Sequence, residues 1–328
     1  MPLSKIKFRA RQLKMAVIGD FCLDVYWYAD MRKSELSRET PHFPLPIVKE
    51  KMSAGGAGNV VANLLALEPS SVQCLGVFGD DWRGFEYKKV LTNLGADISS
   101  IITDSARCTN AYIKPLRKGL SEVVYEDPRL DFNNSETISS STEQSLLDAL
   151  DSLQCDALCV CDQLPFGCIT PAIREKICKL GHDGMTVIVD SRDRIGLYRN
   201  VIVKPNELEA SRTINQTAPE GIDALRHIAA ELSKRTGRPA VVTAGEKGCV
   251  TANGNETAHI PAIPVTGEID ICGAGDTFLA AFATATAAGA SLNDAASFAC
   301  AASSIIVRKI HTTGTASWQE LDGVVKQN

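Results

Sequence analysis

The sequence predicts an α/β protein with a mostly parallel, doubly wound sheet that is flanked by helices. Short apolar runs alternate with helix-like stretches from residue 15 onward, which is typical of strands joined by crossover helices. Most of these runs end in an acidic or polar residue, and glycine-rich segments follow several of them. Parallel strands end at one edge of a sheet, where ligands bind in such folds. We therefore expect a single domain over residues 1–328 with one crevice.

Five apolar runs are predicted strands, and each precedes a polar group. The runs and their followers are 15–18 with Asp20 and Asp24, 72–78 with Asp80 and Asp81, 158–161 with Asp162, 186–189 with Asp190, and 201–203 with Lys204. Aspartate is common where strands end and helices begin, which explains some of these positions one at a time. It does not explain why glycine-rich segments fall at the same edge, so we expect the acidic groups to converge on the crevice.

Residues 25–50 and 109–126 break this alternation, because both stretches are extended and rich in aromatic residues or proline. We expect them to form a small β-sheet lid that keeps water away from a transferred group. A surface sheet without such a role is the alternative. Trp27 and Tyr28 are expected to be exposed, so the lid is also predicted to join two subunits in a homodimer.

A glycine-rich segment at residues 53–59 is predicted to open a helix. Gly55 and Gly56 allow a ligand to approach the backbone closely, and the Asn59 amide offers a donor and an acceptor to a hydroxylated molecule. The segment lacks the G-x-G-x-x-G spacing of dinucleotide-binding proteins, and the chain has no Walker A motif. These observations disfavour a Rossmann dehydrogenase and a P-loop protein.

Thr243 and Gly245 lie in a turn between predicted strands at 239–243 and 249–251. A Thr-x-Gly turn at this edge of the sheet is suited to the phosphates or ribose of a nucleotide. An ordinary hairpin is an equal alternative at this point.

The small residues Gly273, Ala274 and Gly275 precede an apolar helix. Their backbone N–H groups and the positive end of the helix dipole predict an anion site. Asp276 follows directly, and its carboxylate would repel a bound phosphate. We therefore expect Asp276 to accept a proton from an attacking hydroxyl, as a catalytic aspartate does in phosphoryl transfer. The alternative is a glycine-rich turn with Asp276 as an ordinary N-cap.

The 328 residues carry a formal net charge of −5, which disfavours nucleic acid as the main partner. No run approaches the ~18 apolar residues of a membrane span, and the basic stretch 5–14 is not followed by the apolar segment of a signal peptide. Eleven scattered cysteines suit a reducing compartment. A cytoplasmic location without a membrane partner is expected.

The two glycine-rich segments together resemble the two signature motifs of the PfkB (ribokinase-like) carbohydrate kinases. Gly55-Gly56 with Asn59 matches the first motif, and residues 270–277 match the second at the expected separation. The resemblance extends over residues 15–320. It implies a ribokinase-like fold and transfer of the γ-phosphate of ATP, with Mg²⁺, to a sugar hydroxyl.

The resemblance also implies a role for each matched residue. The roles are the catalytic base for Asp276, an anion hole for the amides of Gly273, Ala274 and Gly275, sugar binding for Asp24, Gly55, Gly56 and Asn59, placement of Mg²⁺ and phosphate for Asn206 and Glu209, ATP binding for Thr243 and Gly245, and a monovalent-cation (K⁺) site for Asp270 with the loop near Gly314. Mg²⁺ keeps several waters and binds substrate phosphates, so its contact with Glu209 is expected to be indirect.

Within the family, residues 19–28, 37–48 and 129–132 are most similar to the heptose 7-phosphate kinase domain of the bifunctional ADP-heptose synthesis enzymes. No adenylyltransferase segment follows in this sequence, so a stand-alone sugar or sugar-phosphate kinase is expected. A non-catalytic sugar-binding relative and a kinase of a nucleoside or another alcohol are the alternatives.

Two departures from the family pattern bear on the ligands. Ile271 and Cys272 stand where small hydroxylated residues are common, which alters the surroundings of the implied K⁺ site. The heptose kinases carry a lysine after the aspartate that matches Asp162, whereas residues 163–166 here contain none. Loss of a lysine near a substrate phosphate favours an unphosphorylated sugar.

Overall fold

Two sheets organise the protein, whose residues 1–310 and 314–327 are described by a computed structural model. The strands of these residues are β1 Lys14–Gly19, β2 Phe21–Asp30, β3 Ile47–Gly56, β4 Ser71–Gly79, β5 Asp97–Asp104, β6 Ala111–Lys118, β7 Val124–Glu126, β8 Leu130–Phe132, β9 Ala157–Asp162, β10 Thr186–Ser191, β11 Ile202–Val203, β12 Ala240–Thr243, β13 Cys249–Asn253 and β14 Glu256–Ile260. The helices are α1 Leu3–Ala10, α2 Ala57–Ala66, α3 Trp82–Leu94, α4 Ser140–Asp151, α5 Pro171–His182, α6 Glu207–Thr213, α7 Ile222–Thr236, α8 Ala274–Ala287, α9 Leu292–Ile306 and α10 Trp318–Gln327.

The central sheet has the strand order β14-β13-β12-β11-β10-β9-β1-β4-β5. Neighbours from β12 to β5 pair in parallel, while β13 and β14 add an antiparallel edge. The predicted α/β fold with a mostly parallel sheet is confirmed. The sequence pattern misses β5, because its side chains are exposed or only partly buried and include Ser99 and Ser100.

Helices cover both faces of the central sheet because side chains alternate along its strands. Met15 and Val17 of β1 belong to a buried cluster that includes residues of α1, α2, α8 and α9. Ala16 and Ile18 belong to a second cluster, with residues of α4, α5 and α7. In the residues that the structure describes, no helix has the length and hydrophobicity needed to cross a membrane.

The second sheet has the order β3-β2-β6-β7, and β8 pairs with β6. Asp20 alone separates β1 from β2, and the Ala57 N–H donates to the Asp20 carbonyl (2.9 Å). The sheet therefore leaves the central domain and rejoins it at one point. The predicted small sheet is confirmed, but it extends beyond the predicted stretches, because it begins at Phe21 and continues to Phe132.

The glycine-rich segment at residues 53–59 spans the junction between β3 and α2, so the expectation that it simply opens a helix is corrected. Gly55 and Gly56 are the last residues of β3, and the helix begins at Ala57. Gly56 turns the chain with a φ of 55°, in the left-handed region that favours glycine. The sequence pattern alone does not distinguish a glycine-rich strand end from a glycine-rich helix start.

Candidate active site

A cavity of about 740 Å³ opens at the carboxyl edge of the central sheet, next to the start of α8. β10, β11 and β12 end there, and the loops that follow β11 and β12 form one wall. The predicted site residues in its lining are Asn206, Glu209, Thr243, Gly245, Ala274, Gly275 and Asp276. The fold therefore brings together three segments that are distant in the sequence.

Helix α8 begins directly after Gly273, whose φ of 78° lies in the left-handed region. Gly273 is the N-cap, and Asp276 is the third residue of the helix. The alternative interpretation of Asp276 as an ordinary N-cap is therefore wrong. The apolar pattern starts this helix only at residue 278, because the first turn carries a polar site and not a core face.

The first-turn amides of α8 are the donors that the sequence predicts for an anion site. Thr277 makes the first intrahelical bond, from its N–H to the Gly273 carbonyl (3.0 Å), so the amides before it have no acceptor four residues back in the helix. The Ala274 N–H donates to the Ile271 carbonyl in a turn (3.2 Å). Of the three amides assigned to the anion hole, the Ala274 amide is thus already used by the protein.

A buried lysine stands beside the Gly275 backbone, since a Cβ built on Gly275 would meet Lys204 Nζ at 3.9 Å. The ammonium forms a 3.0 Å ion pair with Asp190, and both side chains line the cavity. Burial is the largest single influence and would lower the pKa of Lys204, but the carboxylates of Asp190, Glu209 and Asp276 together raise it. A positive charge therefore lies beside Gly275, and no pattern in the sequence indicates this ion pair.

Asp276 is held in a network of buried polar side chains that joins α2 to α8. Asn59 Nδ2 donates to Asp276 Oδ2 (2.7 Å), and Asn63 Nδ2 donates to the Asn59 carbonyl (2.9 Å) and more weakly to Asn59 Oδ1 (3.3 Å). Thr277 Oγ1 donates to Asn63 Oδ1 (2.8 Å). Sequence reasoning missed Asn63 and Thr277. The available signal was their spacing, four residues after Asn59 on one helix face and one residue after Asp276.

The pKa of Asp276 is raised to about 6. Desolvation is the largest cause, and the Asp190 carboxylate adds to it, while the hydrogen bond from Asn59 opposes the shift. Such a carboxylate is ionised at neutral pH and is a stronger base than an ordinary aspartate. This is the property that a general base for a hydroxyl group requires.

Asn206 and Glu209 line the cavity while forming the capping box of α6. Asn206 Oδ1 accepts the Leu208 and Glu209 N–H groups (3.0 and 2.9 Å), and Glu209 Oε2 accepts the Asn206 N–H (2.8 Å). One oxygen of each side chain is therefore committed to the helix end. The Asn206 amino group and the other Glu209 oxygen are the groups that remain for a ligand.

The turn that contains Thr243 and Gly245 is a hairpin between β12 and β13, and it also lines the cavity. The two alternatives predicted for this turn are therefore compatible. The Thr243 N–H donates to the Pro205 carbonyl (3.0 Å), which ties this turn to the loop after β11. Gly245 has a φ of 53°, and a Cβ there would meet no atom within 4 Å. Its backbone is therefore open to a ligand.

Asp24 and Gly55 lie side by side in the second sheet. A Cβ on Gly55 would come within 2.6 Å of Asp24 Oδ2, so glycine is needed to leave the carboxylate in place. Asp24 is buried, and burial raises its pKa although Lys114 and Arg129 act to lower it. Asp24 also interacts electrostatically with Asp276. Asp24 and Asn59, which are both predicted to bind the sugar, thus both interact with the Asp276 carboxylate.

Asp20 does not face the crevice as predicted, because the protein uses its carboxylate. It accepts the N–H groups of Gln163 (2.8 Å), Leu164 (2.7 Å) and Cys168 (2.9 Å). These donors belong to the loop between β9 and α5, far away in the sequence. The carboxylate fixes that loop against the end of β1.

Asp162 likewise serves the fold and not the crevice. It forms an ion pair with Arg194 and accepts the Ser191 hydroxyl (3.0 Å) and the Tyr198 hydroxyl (2.9 Å). Asp81 is the N-cap of α3. The prediction that the strand-end acids converge on one crevice is therefore wrong for Asp20, Asp81 and Asp162, whereas Asp190 does line the cavity.

The implied K⁺ site involves groups that bind other partners. Asp270 Oδ1 accepts the Cys272 N–H (2.9 Å). Residues 312 and 313 of the neighbouring loop lie outside the described residues. In the described part of that loop, Lys309 Nζ donates to the Thr315 carbonyl (2.6 Å), so this carbonyl already has a partner in the protein. The K⁺ site stays a prediction, and no step below relies on one.

Comparison with known proteins gives the family. The pfkB family carbohydrate kinase profile matches residues 12–319. The chain is 31% identical over 313 residues to the bifunctional protein HldE of Geotalea uraniireducens, covering 93% of this chain and 61% of that protein. It is 30% identical over 322 residues to HldE of Citrifermentans bemidjiense, covering 94% and 62%. The chain spans about three fifths of the length of these relatives.

Solved structures agree with the fold. Phosphofructokinase-2 from Escherichia coli in complex with fructose-6-phosphate superposes with a TM-score of 0.75 at 18% identity, covering 96% of this chain and 99% of that one. Arabidopsis thaliana ribokinase complexed with ribose and ATP gives a TM-score of 0.69 at 21% identity, with the same coverage. The predicted ribokinase-like architecture is thereby confirmed.

Proposed function

Because the chain belongs to the pfkB family of carbohydrate kinases, we propose that it transfers the γ-phosphate of ATP to a hydroxyl group of a sugar or sugar phosphate. One observation carries the proposal. The Asp276 carboxylate lies in the first turn of α8, lines the cavity and has a pKa of about 6. A basic carboxylate next to an anion site is the arrangement that phosphoryl transfer to an alcohol needs.

In the proposed reaction the substrate oxygen attacks the γ-phosphorus, its proton passes to Asp276, and the bond from the γ-phosphorus to the ADP oxygen breaks. Asn59 holds the carboxylate in place through the 2.7 Å hydrogen bond. The amides of Gly273 and Gly275, and the Ala274 amide once it is free of its turn bond, would stabilise the charge on the phosphoryl oxygens. The buried ammonium of Lys204 would add to this stabilisation.

We propose that ATP lies along the wall formed by Thr243, Gly245 and Asn206. Bound Mg²⁺ would neutralise the charge of the nucleotide phosphates. The described residues include no group of three or more histidine, cysteine, aspartate or glutamate side chains placed to hold a metal ion. This donor set fits an ion held mainly by phosphates and water, with the second Glu209 oxygen reaching it indirectly.

The similarity to the HldE proteins supports a heptose 7-phosphate-like substrate, but the chain spans only part of those relatives. The test is to measure ADP release with a panel of hexoses, heptoses, their terminal phosphates, and adenosine. We expect turnover with a member of the sugar series and none with adenosine. A folded protein that turns over no sugar would contradict the proposal, and turnover of adenosine alone would replace the substrate class.

We also propose a single kinase domain that forms a homodimer through the second sheet, in the cytoplasm. Trp27 and Tyr28 are only partly exposed, contrary to the expectation, but Ile47 and Val48 on β3 and Tyr125 on β7 are exposed apolar side chains on this sheet. All eleven cysteines are free thiols, as is usual in a reducing compartment. Sedimentation at micromolar concentration should show a dimer, and Val48→Glu should shift it toward the monomer. A wild-type monomer would refute this assembly.

A further inference from the structure

One face of the second sheet carries aromatic and cationic side chains. The strand register pairs Asp24 of β2 with Tyr112 of β6, and Tyr26 with Lys114. On the other side of β2, Lys51 of β3 pairs with Tyr26. Directly paired residues project to the same side of a sheet, and side chains alternate along each strand. These five residues therefore share one face.

That face belongs to the sugar side of the active site. Residues of the opposite face are buried in the hydrophobic core, namely Leu23, Val25 and Ile113. Lys114 interacts electrostatically with Asp24 and with Cys272, the residue before the Gly273 turn. The face thus extends from the Asp24 carboxylate along the entrance to α8.

Two ammonium groups converge on one aromatic ring of this face. Lys114 Nζ lies 5.0 Å from the ring centroid of Tyr26 and 3.4 Å from its hydroxyl. Lys51 Nζ lies 5.8 Å from the same centroid. Within the described residues both cations are held by the ring and not by a carboxylate, whereas Arg129 is bound to Asp131 (2.7 Å). Both ammonium charges remain available to an anion.

We propose that Lys114 and Lys51 bind the phosphate group of a phosphorylated sugar, while Asp24 binds its hydroxyl groups and Asp276 accepts the proton of the reacting hydroxyl. This subsite deepens the function proposed above and rests on it. Lys114 is paired two residues beyond the Asp24–Tyr112 pair, which places it about 7 Å further along the strand. A sugar ring fits into that interval, with its reacting end toward Asp276 and its phosphate toward the lysines.

The subsite also changes the expectation of an unphosphorylated sugar. That expectation rests on the missing lysine after Asp162, where structural contacts hold the main chain of the loop. The Gln163 N–H binds Asp20, and the Arg194 guanidinium donates to the Leu164 carbonyl (2.6 Å). In the proposed subsite Lys51 and Lys114 replace that lysine, so the second sheet binds the phosphate.

The test compares matched substrates, fructose with fructose 6-phosphate and sedoheptulose with sedoheptulose 7-phosphate, in wild-type protein and in Lys114→Met. Methionine keeps the length and apolar stem but removes the charge. We expect Lys114→Met to lower kcat/KM for the phosphorylated substrate by roughly 10–100-fold through KM, because a hydrogen bond between charged groups is lost. The KM for ATP and the turnover of the unphosphorylated sugar should stay unchanged.

Lys49→Met is the matched control. Lys49 lies on the same face, one pair further out, over the Tyr28 ring at 5.4 Å. Its loss should leave kcat/KM for both substrates within about twofold. Equal thermal unfolding midpoints for wild type, Lys114→Met and Lys49→Met would show that neither replacement affects folding.

Other outcomes separate this inference from the function on which it rests. An equal loss for both members of a pair, or a raised KM for ATP, would place Lys114 on the transferred phosphate and overturn the subsite. A wild type that uses the sugar as well as its phosphate would also overturn it, while the kinase function stands. If no substrate turns over, titration calorimetry with the same two sugar phosphates decides. Binding that Lys114→Met weakens supports the subsite, and no binding or unchanged binding refutes it.

Discussion

The carboxylates at the carboxyl edge of the central sheet fall into two groups that the protein treats differently. Asp20 and Asp162 are buried and accept several hydrogen bonds from the protein's own N–H and O–H groups. Asp276 and Asp190 line the cavity, where Asp276 binds the Asn59 amide and Asp190 pairs with a lysine. In the sequence all four are aspartates beside apolar runs.

The difference indicates that an open side toward the cavity, and not a raised pKa, distinguishes the proposed catalytic carboxylate from the structural one. The pKa of Asp20 is raised to about 6, as is that of Asp276, and burial is the largest cause in both. The Asp20 carboxylate accepts three backbone N–H groups of a fixed loop, is buried and does not line the cavity, so no substrate reaches it there. Asp276 keeps acceptor capacity toward a cavity.

Replacing Asp276 by asparagine tests a carboxylate that lines the cavity, and it has the largest expected effect on activity. Asparagine keeps the shape but does not accept the proton, so kcat should fall by roughly 10²–10⁴-fold in steady-state assays with little change in KM. The raised folded-state pKa means that stability falls as pH rises from about 4 to about 6, because the folded protein favours the protonated form. The variant should therefore unfold at a higher temperature than wild type at pH 8. Turnover within tenfold of wild type would exclude Asp276 as the base.

Replacing Asp162 by alanine tests the other group. It leaves the buried Tyr198 hydroxyl and the Arg194 guanidinium without their partner, so the free energy of unfolding in urea should fall by about 3 kcal/mol. The activity per folded molecule should be unchanged. Asp193→Ala removes an exposed ion pair with Arg212 as a control and should cost less than about 1 kcal/mol. A stable but inactive Asp162→Ala protein would contradict the distinction between the two groups.

Replacing Gly275 by alanine tests the anion site beside Asp276. The added Cβ meets Lys204 Nζ at an ordinary 3.9 Å, so the fold tolerates it, but the methyl group enters the space of the phosphate. We expect kcat/KM for ATP to fall by about tenfold, as for the loss of one hydrogen bond to a charged group. Stability should be unchanged or slightly higher, by about 0.5 kcal/mol. Gly323→Ala in α10 is the control, with the same change in stability and no change in activity. Unaltered use of ATP by Gly275→Ala would move the phosphate site elsewhere.

Among the replacements near the cavity, Asn63→Leu has the smallest expected effect on activity. Wild-type kcat/KM for the sugar should rise with pH through a midpoint near 6 and level off above it, because the base must be ionised. Leucine removes the bonds to Asn59 and Thr277, which weakens the hydrogen bond that lowers the pKa of Asp276. We expect a severalfold drop in kcat and a higher midpoint. The effect on kcat should vanish in an Asp276→Asn background. An equal drop in that background would assign Asn63 a purely structural role.

The main strands can be predicted from the sequence because buried parallel strands appear in it as continuous apolar runs. The strands β1, β4, β9 and β10 are predicted to within a few residues for this reason. The half-exposed strand β5 lacks such a run and is missed. Helix α1 is missed as well, because only Ile6 and Ala10 among its eight residues are buried and the basic residues dominate its pattern.

The candidate site is predictable where it is local. Asp276 and the glycines before it form one continuous motif, and the resemblance adds partners such as Asn59. The pairing of Lys204 with Asp190 joins two different strand ends, and no sequence interval encodes it. The same limit explains the error on Asp20, whose donors lie more than 140 residues away and consist of main-chain groups that any sequence supplies.

The parallel pairing of β2 with β6 also sets an order of events in folding. It closes a long loop, since 88 positions separate Tyr26 from Lys114, whereas β2 and β3 pair across a short one. Long loops close slowly because of their entropy. We expect amides of β6 to become protected after those of β3 in pulsed deuterium labelling during refolding, and simultaneous protection would contradict this.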